Sequence, residues 1–369
     1  MAFHDAPGAQ RQGNTFMSLL LASGTPHLPQ LIGGLEINTH QVALELNGRG
    51  HRTAVLSKLS LRDFFGARRF LASRARLSDI SVDHSLGYEV YRSLKPWSDL
   101  RGLVLPKVVV VQNGNMVQMG RTFRSRGISS VAYLHGLEFD TGPRAWQETT
   151  HDLPFSAYIA NSAYTAARFK TRFGIEPAVI PPIFRPELYR TPGEGRYVTF
   201  INPVAVKGVE LALAVAELCP DIPFLFVRGW PLSAKAESQL QRHLARLSNV
   251  RMIERSIDMR SIYAETRVLL VPSQWEETWG RVVSEAQFSG IPVLSSNSGG
   301  LPESVGPGGI LLCRDDPPAL WAEQLRVMWG DSGVYRMKRE ATLAHADRPA
   351  LDIGYQMDQL IAITERAAA

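Results

Sequence analysis

Val271-Pro-Ser-Gln-Trp-Glu-Glu-Thr-Trp-Gly-Arg-Val-Val-Ser-Glu-Ala286 is the stretch of this chain on which the fold turns. An apolar run ends at Pro272, a polar loop carries Glu276 to Gly280, and Arg281 to Ser289 reads as a helix that Gly290-Ile-Pro292 stops. A strand that gives way to such a loop and then a helix belongs to an open α/β sheet, whose strand ends form the ligand-facing edge. Glu277 lies just ahead of the helix and Glu285 inside it. Two such carboxylates can accept hydrogen bonds from sugar and ribose hydroxyls, while N–H groups at the helix start face an anion. Gly280 lets the backbone come close to a ligand. Taken alone, the same spacing would also suit a helix-capping Glu277 and a solvated Glu285.

Outward from this segment the alternation continues in both directions. Tyr197–Ile201, Pro223–Val227, Val250–Ile253, Val268–Pro272 and Pro292–Ser296 read as strands, with helices over Val209–Leu218 and Ala234–Leu247. Ile180-Pro-Pro-Ile-Phe-Arg-Pro186 and Thr191-Pro-Gly-Glu-Gly195 interrupt the pattern, and the domain boundary is placed there. Before it, Phe16–Ala22 reads as a strand, followed by a Gly33-Gly34 loop, a helix over Glu36–Gly48 and a strand over Thr53–Leu56, a βαβ unit of a parallel sheet. Lys107–Gln112, Ser130–Leu134 and Ala157–Ala160 add further strands. The expected units are residues 1–183 (with 1–15 a flexible arm), residues 184–346, and a last helix within residues 347–369.

Several segments together resemble the retaining glycosyltransferases of family 4. Glu277-Thr-Trp-Gly280 followed by Glu285 matches that family's E-x7-E donor motif, and Gly290-x-Pro-Val293 and Gly299-Gly300-x-x-Glu303 follow in the family's order. Gly33-Gly-Leu-Glu36 with Gly50-His51, Leu134-His135-Gly136, Asn161-Ser-Ala-Tyr-Thr165 and Val179-Ile-Pro-Pro182 extend the resemblance through most of the chain. It implies a GT-B fold: two Rossmann-like, doubly wound domains facing a central cleft, with the last helix crossing back to the first domain.

The resemblance also implies sugar transfer from a nucleoside diphosphate sugar to an acceptor hydroxyl, with retention of configuration. Glu277 would orient the sugar, Glu285 the ribose, and Lys207 would neutralise phosphate. His135 would contact the transferred sugar, and Gly33 and Gly34 the diphosphate or acceptor. Thr278, Trp279 and Gly280 complete the donor-binding set. One position departs from the family: Asn202 stands where an arginine precedes the phosphate-binding Lys207. A diphosphate normally meets two cations, or a cation and a helix N-terminus. Lys207, the backbone around Gly299-Gly300 and Arg228 are the candidates to supply that charge.

Composition narrows the alternatives. Hydrophobic residues make up 45% and charged residues 20% of the 369, with a net charge of +5, as in soluble globular proteins. No dense Lys/Arg block with interleaved aromatics supports nucleic-acid binding. The apolar run at residues 16–22 is too short to span a bilayer. Cys219 and Cys313 show no ligand spacing and read as buried, reduced thiols in a cytoplasmic protein. Asp315-Asp316 reads as a solvated turn, so no metal or other cofactor is expected, fixed positive groups taking the metal's part. Residues 60–80, rich in Arg, Leu and Phe, allow peripheral contact with an anionic membrane, a solvated helix face being the plainer reading. Trp275 and Trp279 suit packing walls or sugar platforms, and Tyr164 suits packing near the hinge. The rival functions are a sugar-nucleotide epimerase of the same fold and a sugar-nucleotide-binding protein that has lost turnover, for which Asn202 is the support.

Overall fold

The computed structural model describes residues 18–369 except Arg144 and Ile257; the arm expected over residues 1–15 lies outside the described residues. The first sheet contains β1 (Ser18–Ser23), β2 (Arg52–Lys58), β3 (Ile80–Asp83), β4 (Val90–Ser93), β5 (Val108–Asn113), β6 (Ser129–Leu134), β7 (Ala157–Ala160) and β8 (Ala178–Val179). The second contains β9 (Tyr197–Ile201), β10 (Phe224–Val227), β11 (Val250–Ile253), β12 (Thr266–Val271), β13 (Val293–Ser296) and β14 (Gly309–Leu312). Their orders are β3-β4-β2-β1-β5-β6-β7-β8 and β11-β10-β9-β12-β13-β14.

Both sheets are parallel, apart from β3, which runs antiparallel to β4 at the edge. That edge pair was not anticipated, because its two strands are only four residues long, too short to carry a clear periodic signal. The four valines of β5 are all buried, as expected of a strand covered by helices on both faces. In each sheet the order reverses beside one strand, β1 in the first and β9 in the second, and α/β sheets bind ligands outside the strand ends at such points.

The chain returns at its end to the first sheet. In the helix Ile353–Ala368, Met357, Leu360 and Ile363 are buried in one cluster with Leu19, Leu21, Val108 and Val110. Burying each of these side chains is worth roughly 2 kcal/mol, and Gln356 adds a hydrogen bond to the Pro181 carbonyl at 2.9 Å. This covers a sheet face that the first 180 residues leave open. Cys219 is buried as expected, whereas Cys313 is exposed, because it lies just past the end of β14.

Candidate active site

The carboxyl ends of both sheets face one another across a cleft of about 1460 Å³. Gly33, Gly34 and His135 line it from the first domain. Asn202, Lys207, Arg228, Glu277 to Gly280 and Glu285 line it from the second. The loop after β12 is pinned by the loop after β13. Gly299 has φ +63°, and a Cβ there would lie 2.1 Å from the Glu277 carbonyl oxygen, so only glycine fits. The Gly300 N–H donates to that carbonyl at 2.6 Å. The glycine pair therefore sets where Glu277 stands.

Lys207 and Glu277 form an ion pair at the centre of the second domain's edge. The Ser273 hydroxyl donates to the same Glu277 Oε1 at 2.7 Å, and among the described residues nothing donates to Oε2. The Lys207 ammonium also lies 4.8 Å from the Trp275 ring centre and 5.3 Å from that of Trp230, close enough for cation–π attraction. Its turn is fixed by Gly208, where φ is +85° and a Cβ would meet the Pro272 carbonyl oxygen at 1.9 Å. Both groups are thus positioned by the fold itself, as preorganised electrostatics requires.

The two expected auxiliaries of Lys207 are otherwise engaged. Asn202 takes a left-handed conformation (φ +68°), which asparagine tolerates better than most residues, and its Oδ1 accepts the Trp230 N–H at 2.8 Å. It organises the β10 loop and brings no charge. Arg228 pairs with both oxygens of Glu237, at 2.5 and 2.6 Å, and with Glu254 at 2.9 Å, so its charge is compensated. Arg255, which sequence reasoning missed, also lines the cleft. Its guanidinium donates to the Ile32 carbonyl at 3.1 Å, beside Gly33, and among the described residues it meets no acid. Nothing in its sequence context distinguishes it from other surface arginines.

Glu285 is buried, accepting from the Tyr263 hydroxyl at 2.9 Å and lying 3.4 Å from Arg281 Nε. A solvated Glu285 is thereby excluded, and its carboxylate still has acceptor capacity for a hydroxyl. Arg281 is a further residue the sequence did not single out. It reaches across the domains to the Ile183 carbonyl (3.1 Å) and bonds the Tyr189 hydroxyl of its own domain (3.3 Å).

Other expected contacts serve the domain interface. The Thr278 hydroxyl donates to the His135 carbonyl at 2.8 Å and accepts from Asn161 at 3.0 Å. Trp279 is buried, its indole N–H bonded to Ser284, which makes it a packing wall. Gly280 approaches Leu301, not open space. Tyr164 is more than packing: its hydroxyl donates to Glu276 Oε1 at 2.7 Å, and Arg168 pairs with the same carboxylate at 3.1 Å. Neighbouring glutamates thus divide the work, Glu276 joining the domains and Glu277 facing Lys207. The His135 ring packs at a tilt of 36° against Tyr133, with ring centres 4.0 Å apart. Burial and the nearby Arg281 charge hold it down to about 3, so it is a neutral imidazole throughout the physiological range. Its Nε2 is enclosed, without a hydrogen-bond partner among the described residues.

Gly34 passes against the Arg281 side chain, and Gly33 against the carboxylate of Glu36. Glu36 is buried with its carboxyl group beside the Gly33 and Glu36 N–H groups, so an internal carboxyl group already occupies this helix start. Burial raises Glu36 to about 7, the backbone donors and Thr25 only partly offsetting it. Between pH 4.5 and 7 the folded chain then binds more protons here than the unfolded one, and stability falls as pH rises through that window. The shift corresponds to about 3 kcal/mol. Glu36→Gln should therefore raise the Tm at pH 8 by several degrees and change it little at pH 4.5. Calorimetric melting at both pH values checks this; an equal shift at both would contradict it.

Comparison with known proteins accords with this geometry. Residues 32–187 match the family described as Glycosyltransferase Family 4, and residues 196–331 match Glycosyl transferases group 1. The chain belongs to the family 4 glycosyltransferases. The D-inositol 3-phosphate glycosyltransferase of Corynebacterium diphtheriae is 34% identical over 153 residues, 38% of this chain and 35% of that protein. The enzyme of the same name from Nocardia farcinica is 30% identical over 218 residues, 51% of this chain and 48% of the relative. The chain thus spans less than half the length of the curated relatives it matches. Among solved structures, Anabaena HepE in complex with UDP and glucose superposes with a TM-score of 0.71 at 19% identity, covering 95% of this chain and 99% of that one. Sucrose-phosphate synthase from Thermosynechococcus elongatus gives 0.68 at 16% identity, covering 95% and 98%. These likenesses show the GT-B fold in this family 4 chain.

Proposed function

We propose that this chain transfers a sugar from a nucleoside diphosphate sugar to an acceptor hydroxyl, retaining anomeric configuration and needing no metal. The observation that carries this is the preformed Lys207–Glu277 pair at the cleft edge, seated by the glycines at 208 and 299. A fixed ammonium there suits a departing diphosphate, and a fixed carboxylate beside it suits the hydroxyls of the transferred sugar.

In this mechanism the bond from the anomeric carbon to the diphosphate oxygen breaks as the acceptor oxygen attacks the same face. The acceptor proton passes to the leaving phosphate oxygen, so no side chain need be a nucleophile. Lys207 stabilises charge developing on the diphosphate, Glu277 orients the sugar, and Glu285 accepts from the ribose. His135, being neutral, contributes a hydrogen bond. Interdomain contacts at Thr278, Glu276 and Arg281 hold both substrates in register and keep water from the donor.

With Asn202 uncharged and Arg228 compensated, Arg255 is the described cation best suited to share the diphosphate with Lys207. A charge-assisted hydrogen bond lost from bound donor costs about 1.5–3 kcal/mol. Arg255→Ala should thus raise the donor KM by about tenfold or more and leave the Tm unchanged, the side chain being exposed. Steady-state kinetics checks this, and an unaltered KM would contradict it.

HepE was crystallised with UDP-glucose, so UDP sugars come first in a donor panel that also includes GDP and ADP sugars. Release of nucleoside diphosphate is measured in the presence of EDTA. One donor should be consumed slowly even without acceptor. Consumption of none, or only after Mg²⁺ is added, would contradict the proposal, and tight binding without any turnover would favour the binding-protein reading that Asn202 raised. Once an acceptor is in hand, proton NMR of the new linkage tests retention.

A further inference from the structure

The helix Phe64–Ala75 turns an unusual face outward. Only Gly66 and Ser73 of its twelve residues are buried, while Phe64 is 83% exposed and Leu71 68%. Phe64, Arg68 and Leu71 fall on one helical stripe by their spacing. The flanking Leu61 and Leu77 are exposed as well, Leu77 to 86%. Arg62, Arg68, Arg74 and Arg76 are exposed around them. The one acid in the segment, Asp63, caps the helix through the Gly66 N–H and is bonded by Gln30. Large apolar side chains ringed by arginines, with no free acid among them, are costly in water and match a bilayer with anionic headgroups.

Two further observations point the same way. Leu77 sits just past the helix end at φ +51°, a left-handed position where glycine is the usual and cheaper residue. A leucine held there, almost wholly in solvent, keeps an apolar side chain at a backbone cost that no packing repays. The patch also extends onto a second segment: Ser78 Oγ approaches the Arg101 carbonyl at 3.5 Å, and beyond it Val104 and Leu105 are more than half exposed.

The face is joined to the cleft. Gln30 bonds the Ser60 carbonyl at 2.8 Å and the Asp63 carboxylate at 2.9 Å, and its neighbours Leu28 and Ile32 line the cavity. Arg92, buried with Asp83, holds the Leu28 carbonyl at 2.5 Å and lies under the Phe65 ring. A surface seated on Phe64 and Leu71 would therefore lie beside the first domain's wall of the cleft.

We propose that this face docks the protein onto an anionic lipid bilayer, with Phe64, Leu71 and Leu77 entering the headgroup region and the arginines pairing with lipid charge. The occupant is the bilayer, and docking does not depend on the transfer reaction.

The test is co-sedimentation of the full chain with vesicles of phosphatidylcholine alone and with one third phosphatidylglycerol. Binding should occur to the anionic vesicles only and be released by 0.5 M salt, which screens surface charge to about 4 Å. Each arginine near such a surface is worth about fivefold in partitioning. Replacing Arg62, Arg68 and Arg76 together by serine should lower binding on the order of a hundredfold. Phe64→Ser should weaken it without altering the Tm. Leu77→Gly should weaken it while leaving the Tm equal or higher, an outcome that a structural role for Leu77 would reverse. Three results would overturn the proposal: equal binding to neutral vesicles, no binding to anionic vesicles at low salt, or self-association of the chain that the same substitutions abolish, which would assign the face to a second copy. The assay uses no sugar donor, so its failure is separable from failure of the transferase proposal.

Discussion

Glu277→Ala should lower sugar transfer by about a thousandfold and leave the chain folded. The side chain is largely shielded at the cleft edge, and its neighbours are Lys207 and Ser273, not the apolar core. Its removal takes away the carboxylate that orients the sugar and frees Lys207 to swing toward other acceptors. Lys207→Ala should cost about a hundredfold or more, because it removes the fixed charge facing the departing diphosphate. Since each group holds the other in place, the losses should not multiply: the double variant should be little worse than the poorer single one. Rates of nucleoside diphosphate release and melting temperatures for the three variants check this. Multiplicative losses would mean that the pair does not act as a unit.

The second large effect is expected one loop away, at Gly299→Ala. The added methyl would lie 2.1 Å from the Glu277 carbonyl oxygen, with φ at +63°. The contact is with backbone on both sides, so no side-chain rotation relieves it. Either the loop after β12 or the loop after β13 must move, and the Gly300 N–H bond to the Glu277 carbonyl would be strained or lost. A destabilisation of about 3 kcal/mol, at the high end for a single substitution, is expected together with nearly complete loss of turnover. Denaturant unfolding and donor release measured on the same preparation check both. Gly142→Ala is the control: its φ is also positive, but a Cβ there meets nothing within 4 Å, so activity should survive it.

The sheets were largely legible because their central strands are continuous apolar runs. The four valines of β5, buried between helix layers, announce themselves in any window. The β3–β4 edge was not legible, since an antiparallel pair of four-residue strands is too short to carry much periodicity. Within the site, the position of the E-x7-E loop was readable because strand, loop, helix and stop signal follow one another in a dozen residues. The division of labour inside it was not. The E-x7-E spacing picks out Glu277, but nothing local gives Glu276 its task; that is set by Tyr164 and Arg168, more than a hundred residues away in sequence. Arg228 looked like a spare cation until Glu237 and Glu254 were seen on it. Arg281, Arg255 and the inward turn of Glu36 depend in the same way on partners that only the folded chain brings together.

The central claim is that the cleft receives a nucleoside diphosphate, with Lys207 at the phosphates. Isothermal titration of the wild-type chain and of Lys207→Met with UDP, GDP, ADP and the corresponding nucleosides tests it most directly. One diphosphate should bind the wild type at least tenfold more tightly than its nucleoside, about 1.4 kcal/mol, and that advantage should vanish in Lys207→Met. Equal affinity for nucleoside and diphosphate, or a diphosphate preference unchanged by the substitution, would contradict it.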